Sequence, residues 1–492
     1  MLRGDFIGGV FVPVPEDACD GILVRRSPRE LSRVISRVTF SRSAVDAAVA
    51  QAREAFPSWS LASLESRIER VMALKAAIEA RREAFALQLS HEVGKPLWEA
   101  RTEVSAALNK IDISVRDGLE LVAPREMGSR AQRYAFRPLG VCAVLGPFNF
   151  PLHLVHGHVI PALLTGNTVV IKPSELAPGV GQLYAECFAE AGFARGVCNL
   201  VQGDASVGAE LAAHADVDAV MLTGSYAAGQ AIKRATLAQP HKLLALEMGG
   251  RNPAIVLGDA NLEKALHDVL WGAYVSAGQR CSGTAVALVE RCVFDRFATR
   301  ALEVLSKLRV GDPLAPDVFM GPLISERAVE RFVGALAQAR AEGVTVLAEA
   351  KPLSIEPEGA YVSPSLHHIH APSGLAYETE ELFGPDLALE IIDDLDHGIA
   401  RANASPYGLS ASVMTADGQA FERALTRLRY GCVNWNAPTC GASSRLPFGG
   451  LRKSGNHRPA ALFSSLYCTY PVATLEGPSE LDSAALSPGF TL

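Results

Sequence analysis

VCAVLGPFNFPLHLVHGHVIPALLTGNTVVIKPSE, residues 141–175, carries the pattern that decides the fold. A β-rich apolar run, 141–145, stops at Gly146-Pro147. A helix-length stretch, 152–165, follows, and a second apolar run, 168–171, stops at Lys172-Pro173. The same alternation continues downstream. Short runs at 197–201, 219–222, 243–246 and 254–257 are separated by helix-length segments at 179–191, 205–214 and 226–237. Strands spaced by single helices predict βαβ units and a parallel sheet. Such sheets bind ligands beyond the carboxyl ends of their strands. Each run here ends in polar or Gly-rich residues: GPFNFP, KPSE, QGD, TGS, EMGG.

Upstream the period changes. Across 43–93, Leu64, Ile68, Val71, Leu74 and Ile78 recur at steps of three and four, which predicts helices. Gly94 and Pro96 close that region. The stretch 97–118 is again amphipathic, and 132–138 (QRYAFRP) reads as a short extended segment. Downstream, 260–445 is a second α/β region with helices expected at 260–275, 325–342 and 417–429. A strand is expected at 466–475, ahead of a polar terminus. No internal repeat interrupts this order.

The chain has 492 residues, enough for two to four domains and a large core without disulfides. Apolar residues are 49% and the net charge is −7, so neither disorder nor non-specific nucleic-acid binding is expected. Nine cysteines stand singly with no CxxC pair, which reads as reduced thiols in a cytoplasmic protein. No apolar window reaches the ~18 residues of a membrane span, and the first twenty residues lack a signal-peptide pattern.

Four motifs carry chemistry. The usual G-x-G-x-x-G fingerprint is absent, since Gly179-Val180-Gly181 is followed by Tyr184. Thr223-Gly224-Ser225, with Gly229 in the next helix, offers a small turn and a helix N-terminus to a phosphate. Lys172 and Glu175 lie three apart past a strand end, a spacing suited to a ribose diol, and an acid there disfavours a 2′-phosphate. In Gly278-Gln279-Arg280-Cys281-Ser282 the thiol sits beside a cation and small polar residues, surroundings that favour thiolate. Glu247 ends the apolar run LLALE, where desolvation raises a carboxyl toward the range of a general base. The spacing of His153, His156 and His158 does not bring three rings to one helix face, and neither it nor His367, His368 and His370 is read as a metal site.

FNFP, KPSE, TGS, LEMGG, GQRC, EELFGP and PFGG occur in that order over about residues 30–476, and this set resembles the NAD(P)-dependent aldehyde dehydrogenase superfamily. The resemblance implies an α/β fold of three parts. A Rossmann-like parallel-sheet cofactor domain spans 1–120 and 139–248, and an α/β catalytic domain spans 249–462. A small β oligomerisation element joins 121–138 to 463–492 and implies a homodimer or homotetramer. It implies Cys281 as nucleophile, Asn149 with the Cys281 N–H as oxyanion hole, and Glu247 as base. Lys172 and Glu175 become the adenosine-ribose clamp, Ser225 a pyrophosphate contact, Glu381 the nicotinamide-ribose ligand and Phe383 its packing partner, with Gly203, Gly224 and Gly229 as further cofactor positions. NAD is expected rather than NADP. Arg251, after EMGG, stands where the family often has Lys or Asn.

Stretches 99–111, 146–170, 434–450 and 454–476, SGNHRP above all, resemble one branch, the dehydrogenases of N-succinylglutamate 5-semialdehyde in arginine catabolism. That substrate carries three carboxylates and needs clustered N–H donors or cations. Gly441, Ala442, Ser443 and Ser444 are read as a carboxylate nest, with Ser282, Arg445 and Arg458 as further candidates. Dehydrogenases of glutamate or succinate semialdehyde are the alternative, and a CoA-acylating enzyme is a further one, disfavoured because Glu247 is retained.

Overall fold

A computed structural model describes residues 2–128, 131–481 and 487–490. The alternation quoted above becomes a seven-stranded sheet. Five parallel strands lie in the order Leu243–Glu247, Ala219–Thr223, Val141–Leu145, Thr168–Lys172, Cys198–Leu200. The antiparallel pair Asp5–Ile7 and Val10–Val12 extends it beyond Cys198–Leu200. Strand order reverses at Val141–Leu145, whose neighbours are the next strand on one side and Ala219–Thr223 on the other. A crevice opens at such a switch point because successive crossover helices leave on opposite faces. Register aligns its rim: Leu145 pairs with Lys172 and with Leu222, and Thr223 with Glu247. Three central strands are buried at every position, which is why they read as continuous apolar runs rather than alternating ones.

After Glu247 the chain crosses four residues and starts a second seven-stranded sheet with Asn252–Val256. Its order is Thr345–Ala348, Ser365–Ile369, Asp386–Ile392, Thr284–Glu290, Asn252–Val256, Ser410–Met414, Cys432–Trp435, parallel except at the first pair. The segment carrying Cys281 enters Thr284–Glu290 from its amino end. The amino end of this sheet therefore faces the carboxyl rim of the first.

A third, three-stranded sheet joins Thr469–Leu475 to Gln132–Pro138 and Arg125–Glu126. The strand expected from 466 starts at Thr469, because Ser464–Tyr467 close a helical turn first. Parts of the ranges assigned to this element, 129–130, 482–486 and 491–492, lie outside the described residues. The helical region 43–93 is three helices, Ala44–Leu61, Leu64–Ala80 and Arg82–Val93, the last ended by Gly94 at φ 80°. The expected helix 97–118 is Leu97–Ile113 followed by a π turn, Ser114–Gly118. The antiparallel pair Gly21–Ser27 and Glu30–Phe40 had no counterpart in the sequence reading. No described helix is long and apolar enough to cross a membrane.

Candidate active site

A cleft of about 700 Å³ lies along the switch point, and Asn149, Lys172, Glu175, Gly224, Ser225, Cys281, Glu381 and Phe383 all line it. These residues come from five separated motifs, and the fold brings them to one surface. At one end, Lys172 Nζ is 2.9 Å from Glu175 Oε2. Ser225 caps the ten-residue helix Tyr226–Ala235, its Oγ accepting from Ala228 N at 3.2 Å. That helix N-terminus directs N–H groups and a positive dipole end toward the cleft. Gly203 and Gly229 stand off the lining, Gly203 beside Val207 and Gly229 against the Met248 thioether.

Near Cys281, Glu381 is held by the peptide after Met248: Gly250 N–H donates to its Oε1 at 2.9 Å. A Cβ on Gly249 would stand 2.0 Å from Glu381 Oε2, so only glycine lets the carboxylate come this close. Burial pushes the Glu381 carboxyl up to about 7, against the Gly250 N–H, which lowers it. The Phe383 ring meets Phe148 edge-on at 5.7 Å.

Asn149 is buried and its side chain is fixed at both ends. Nδ2 donates to the Gln279 carbonyl at 3.0 Å, and Oδ1 accepts from Phe150 N at 3.1 Å. One amide hydrogen of Nδ2 is left without an acceptor among the described residues, and Asn149 and Cys281 line the same cleft. Gln279 belongs to a turn in which Ser276, Ala277 and Gly278 all have positive φ, of 57°, 52° and 69°. Two non-glycine residues in that region store strain that surrounding bonds must hold. Ser276 Oγ donates to Glu99 Oε1, Arg280 Nε donates to Ser276 Oγ at 2.7 Å, and Arg280 Nη2 donates to Glu99 Oε1 at 2.8 Å. One turn on, Glu103 pairs with Lys95 and accepts from Leu152 N and His153 N at 3.0 and 3.1 Å. Phe150 lies between the Lys95 ammonium, 3.3 Å from its centroid, and the Arg280 guanidinium, 4.9 Å away. Glu99 and Glu103 thus anchor the segments on both sides of the site. The sequence reading missed them; the signal was two acids four apart on the face that also carries Ala100, Val104, Ala107 and Ile111.

This geometry corrects the expectation for the thiol. Arg280, counted as the cation beside Cys281, turns away to Glu99. Burial, then the nearby Glu381 and Glu247 carboxyls, push the Cys281 thiol up to about 12, and the Ser282 N–H and Arg280 offset this only in part. At rest Cys281 is a thiol, not a thiolate.

Glu247 does not line the cleft. It is 5% exposed, its Oε1 faces Gly449, and Oε2 has no hydrogen-bond partner among the described residues. Burial raises its carboxyl well above the ordinary 4.5, opposed only by the Ala460 N–H. This fits the sequence reading of a desolvated acid at a strand end.

Of the residues read as substrate contacts, Ser282 is buried, and its carbonyl accepts from Thr439 Oγ1 at 2.7 Å. That bond ties the root of the 441–445 loop to the residue after Cys281. Gly441, Ala442, Ser443 and Arg445 are exposed, and they do not line the cleft. Arg445 N donates to Ser443 Oγ at 3.2 Å. Arg458 contacts only the His457 carbonyl, at 3.5 Å, among the described residues. The histidines separate: His156 Nδ1 is 2.8 Å from Tyr184 Oη, and His158 Nδ1 is 2.6 Å from Tyr467 Oη. Among the described residues no group of His, Cys, Asp and Glu is placed to hold a metal ion, and all nine cysteines are free.

Residues 23–469 match the aldehyde dehydrogenase family. The N-succinylglutamate 5-semialdehyde dehydrogenase of Burkholderia thailandensis is 42% identical over 491 residues, 98% of this chain and 99% of that protein. That of Burkholderia ambifaria is 42% identical over 453 residues, 91% of this chain and 92% of that protein. Among solved structures, the NAD-dependent aldehyde dehydrogenase from Sinorhizobium meliloti superposes with a TM-score of 0.91 at 29% identity, covering 97% of this chain and 96% of that one. Aldehyde dehydrogenase C of Pseudomonas syringae, complexed with NAD+ and octanal, has a TM-score of 0.91 at 30% identity and covers 98% of each chain.

Proposed function

The chain belongs to the aldehyde dehydrogenase family, and from that premise we propose that it oxidises N-succinylglutamate 5-semialdehyde to N-succinylglutamate with NAD. The observation that carries this reading is one cleft bearing Cys281, Asn149, Glu381 and the Lys172–Glu175 pair. Its donor set suits a dinucleotide: a Lys–Glu pair for one ribose, a capped helix N-terminus for phosphate, and Glu381 for the second ribose. Glu175 favours a free 2′-OH, hence NAD over NADP.

The proton on Cys281 passes to solvent water before attack, since burial keeps the thiol neutral. Sγ then bonds to the aldehyde carbon, and the carbonyl oxygen becomes an oxyanion. The free Asn149 amide hydrogen and the Cys281 N–H donate to it, with Asn149 already aimed by its bond to Gln279. A dinucleotide held by Lys172, Glu175, Ser225 and Glu381 would supply the hydride acceptor for oxidation of this adduct to a thioester. Glu247 takes a proton from water, whose oxygen attacks the thioester carbon; Sγ leaves and the acid is released. The 441–445 loop is assigned to the distal carboxylates. The amides of Ala442, Ser443 and Ser444 make no hydrogen bond among the described residues, and Ser282 and Arg445 flank them.

We assign 1–120 with 139–248 to the cofactor domain, 249–462 to the catalytic domain, and 121–138 with 463–492 to oligomerisation. The edge strand Thr469–Leu475 exposes Tyr470, Val472 and Leu475, an edge that a second copy would cover in a homodimer or homotetramer. The test ranks kcat/KM for N-succinylglutamate, glutamate and succinate semialdehydes and an uncharged aliphatic aldehyde, each with and without CoA. N-succinylglutamate semialdehyde leads without CoA if the proposal holds. An uncharged aldehyde in first place removes the carboxylate loop from its role, and CoA dependence removes the hydrolytic step.

A further inference from the structure

A second pocket, about 180 Å³, lies against the other sheet and shares no lining residue with the cofactor cleft. Pro253, Val286, Leu288 and Glu390, from three adjacent strands, line it. The helix Leu395–Asn403 contributes Arg401, and the segment 372–379 contributes Glu378 and Thr379. Arg251 also lines it, at the start of Asn252–Val256.

Arg251 is 5% exposed, yet among the described residues no carboxylate, carbonyl or hydroxyl accepts from its guanidinium. The guanidinium lies over the Tyr377 ring, 5.3 Å from its centroid. The other charged groups facing the pocket are already matched. Arg401 forks onto Glu390, with Nη2 3.1 Å from Oε2. Glu378 accepts from Ser373 N at 3.1 Å and Gly374 N at 3.0 Å. Tyr430 Oη donates to Ala402 O at 2.6 Å. Ser405 Oγ accepts from Tyr407 N at 3.2 Å and its side chain also hydrogen-bonds Tyr430, so it too is matched.

A guanidinium stays charged and presents a planar fork of donors. Burying it without a partner is unfavourable, and an anion with two coplanar oxygens satisfies it bidentately. The volume is below the ~300 Å³ of pockets that take drug-sized ligands, so it suits a small ion rather than a nucleotide. We propose that this pocket binds a small oxyanion, a carboxylate or inorganic phosphate, with Arg251 as its bidentate ligand. The site is distinct from the one that takes aldehyde and dinucleotide.

The test uses the full chain saturated with NAD, so that anion contacts in the cofactor cleft are already filled. Calorimetry and thermal unfolding are followed against sodium phosphate and, separately, sodium succinate at fixed ionic strength and pH. Wild type binds at least one of them saturably, one per chain, and its Tm rises by about 2–4 °C at saturation. Arg251→Met loses the heat and the shift, and without added anion it melts no lower than wild type. Arg251→Lys keeps the charge but not the fork and binds about tenfold more weakly, a readout that survives if the Met variant fails to fold. The stronger arm names the source as phosphate or dicarboxylate. No saturable binding in either arm, or equal binding by wild type and both variants, overturns the proposal.

Discussion

Two buried carboxyl groups flank the segment that carries Cys281, and their surroundings are opposite. Glu99, on the helix Leu97–Ile113, gathers Arg280 and Ser276. Burial pushes its carboxyl up, but the charges of Arg280 and Lys95 and the donated hydrogen bonds outweigh this and leave it below the ordinary value. Glu247, at the end of Leu243–Glu247, has no cation partner among the described residues, and burial raises it far above that value. Residue type and burial are nearly the same in the two regions, so the company decides the charge state. A paired glutamate is a fixed anion that holds a strained turn, whereas a lone one has its carboxyl raised toward the range of a general base.

The comparison is first tested by removing what both regions surround. Cys281→Ser should drop aldehyde oxidation below about a thousandth of wild type, because a serine hydroxyl is a far weaker nucleophile at neutral pH. NAD binding and Tm should stay close to wild type; substantial turnover in this variant removes Cys281 from its role.

Glu247→Gln should slow steady-state turnover by about 100-fold to 10,000-fold, the range of general-base contributions. The first turnover should survive as a burst of NADH. Loss of burst and steady state together would place Glu247 in an earlier step.

Glu99→Gln reverses that signature. It leaves Arg280 buried without its carboxylate, a change that costs about 3–5 kcal/mol of stability in comparable pairs. The turn 276–280 loosens, and with it the Gln279 carbonyl that aims Asn149, so burst and steady state should fall together, by about tenfold. Glu99→Asp should recover part of both. A normal burst in Glu99→Gln would confine the pair to a structural role.

The two acids also predict opposite pH limbs. The Glu247 carboxyl lies above its unfolded value of 4.5, so the native state binds the extra proton. Its contribution to stability is complete below 4.5 and is lost as pH rises through the native value. Glu99 lies below 4.5, so its contribution is present above that pH and is lost as pH falls through the native value. Urea titrations across pH should therefore show Glu247→Gln flattening the alkaline limb and Glu99→Gln flattening the acid limb. The same slope in both variants would dissolve the contrast.

The smallest effect belongs to an exposed acid. The Glu175 side chain is 41% exposed and paired with Lys172, so water screens it. Repulsion of a 2′-phosphate at ~4 Å is then about 1 kcal/mol, near fivefold. Glu175→Gln should raise the NADP/NAD ratio of kcat/KM by about that factor. An unchanged ratio means that cofactor choice lies elsewhere.

Particular residues mark how far the sequence carried. The βαβ alternation of 141–257 was legible because each buried strand declares itself over five consecutive residues. Gly94 announced the end of Arg82–Val93. Cys281, Asn149, Lys172, Glu175 and Glu381 reached one cleft as their motifs implied. The pair Gly21–Ser27 and Glu30–Phe40 was not legible, because its half-exposed strands mix apolar and charged residues without clean alternation. Arg280 was misjudged because neighbours in sequence were taken for neighbours in space.

Local physics explains that division. Strand and helix periods, caps and glycine turns are properties of a few consecutive residues, and the sequence by itself determined them here, along with the order of the motifs. Charge states belong to another class. Glu99 meets Arg280 across 181 residues. Arg251 is left without a carboxylate only because Glu390 is taken by Arg401 and Glu378 by two backbone amides. Desolvation and Coulomb attraction act through space between groups that no local pattern brings together. Only the tertiary structure decided that Cys281 rests as a thiol, that burial raises the Glu247 carboxyl, and that Arg251 stands over an open pocket.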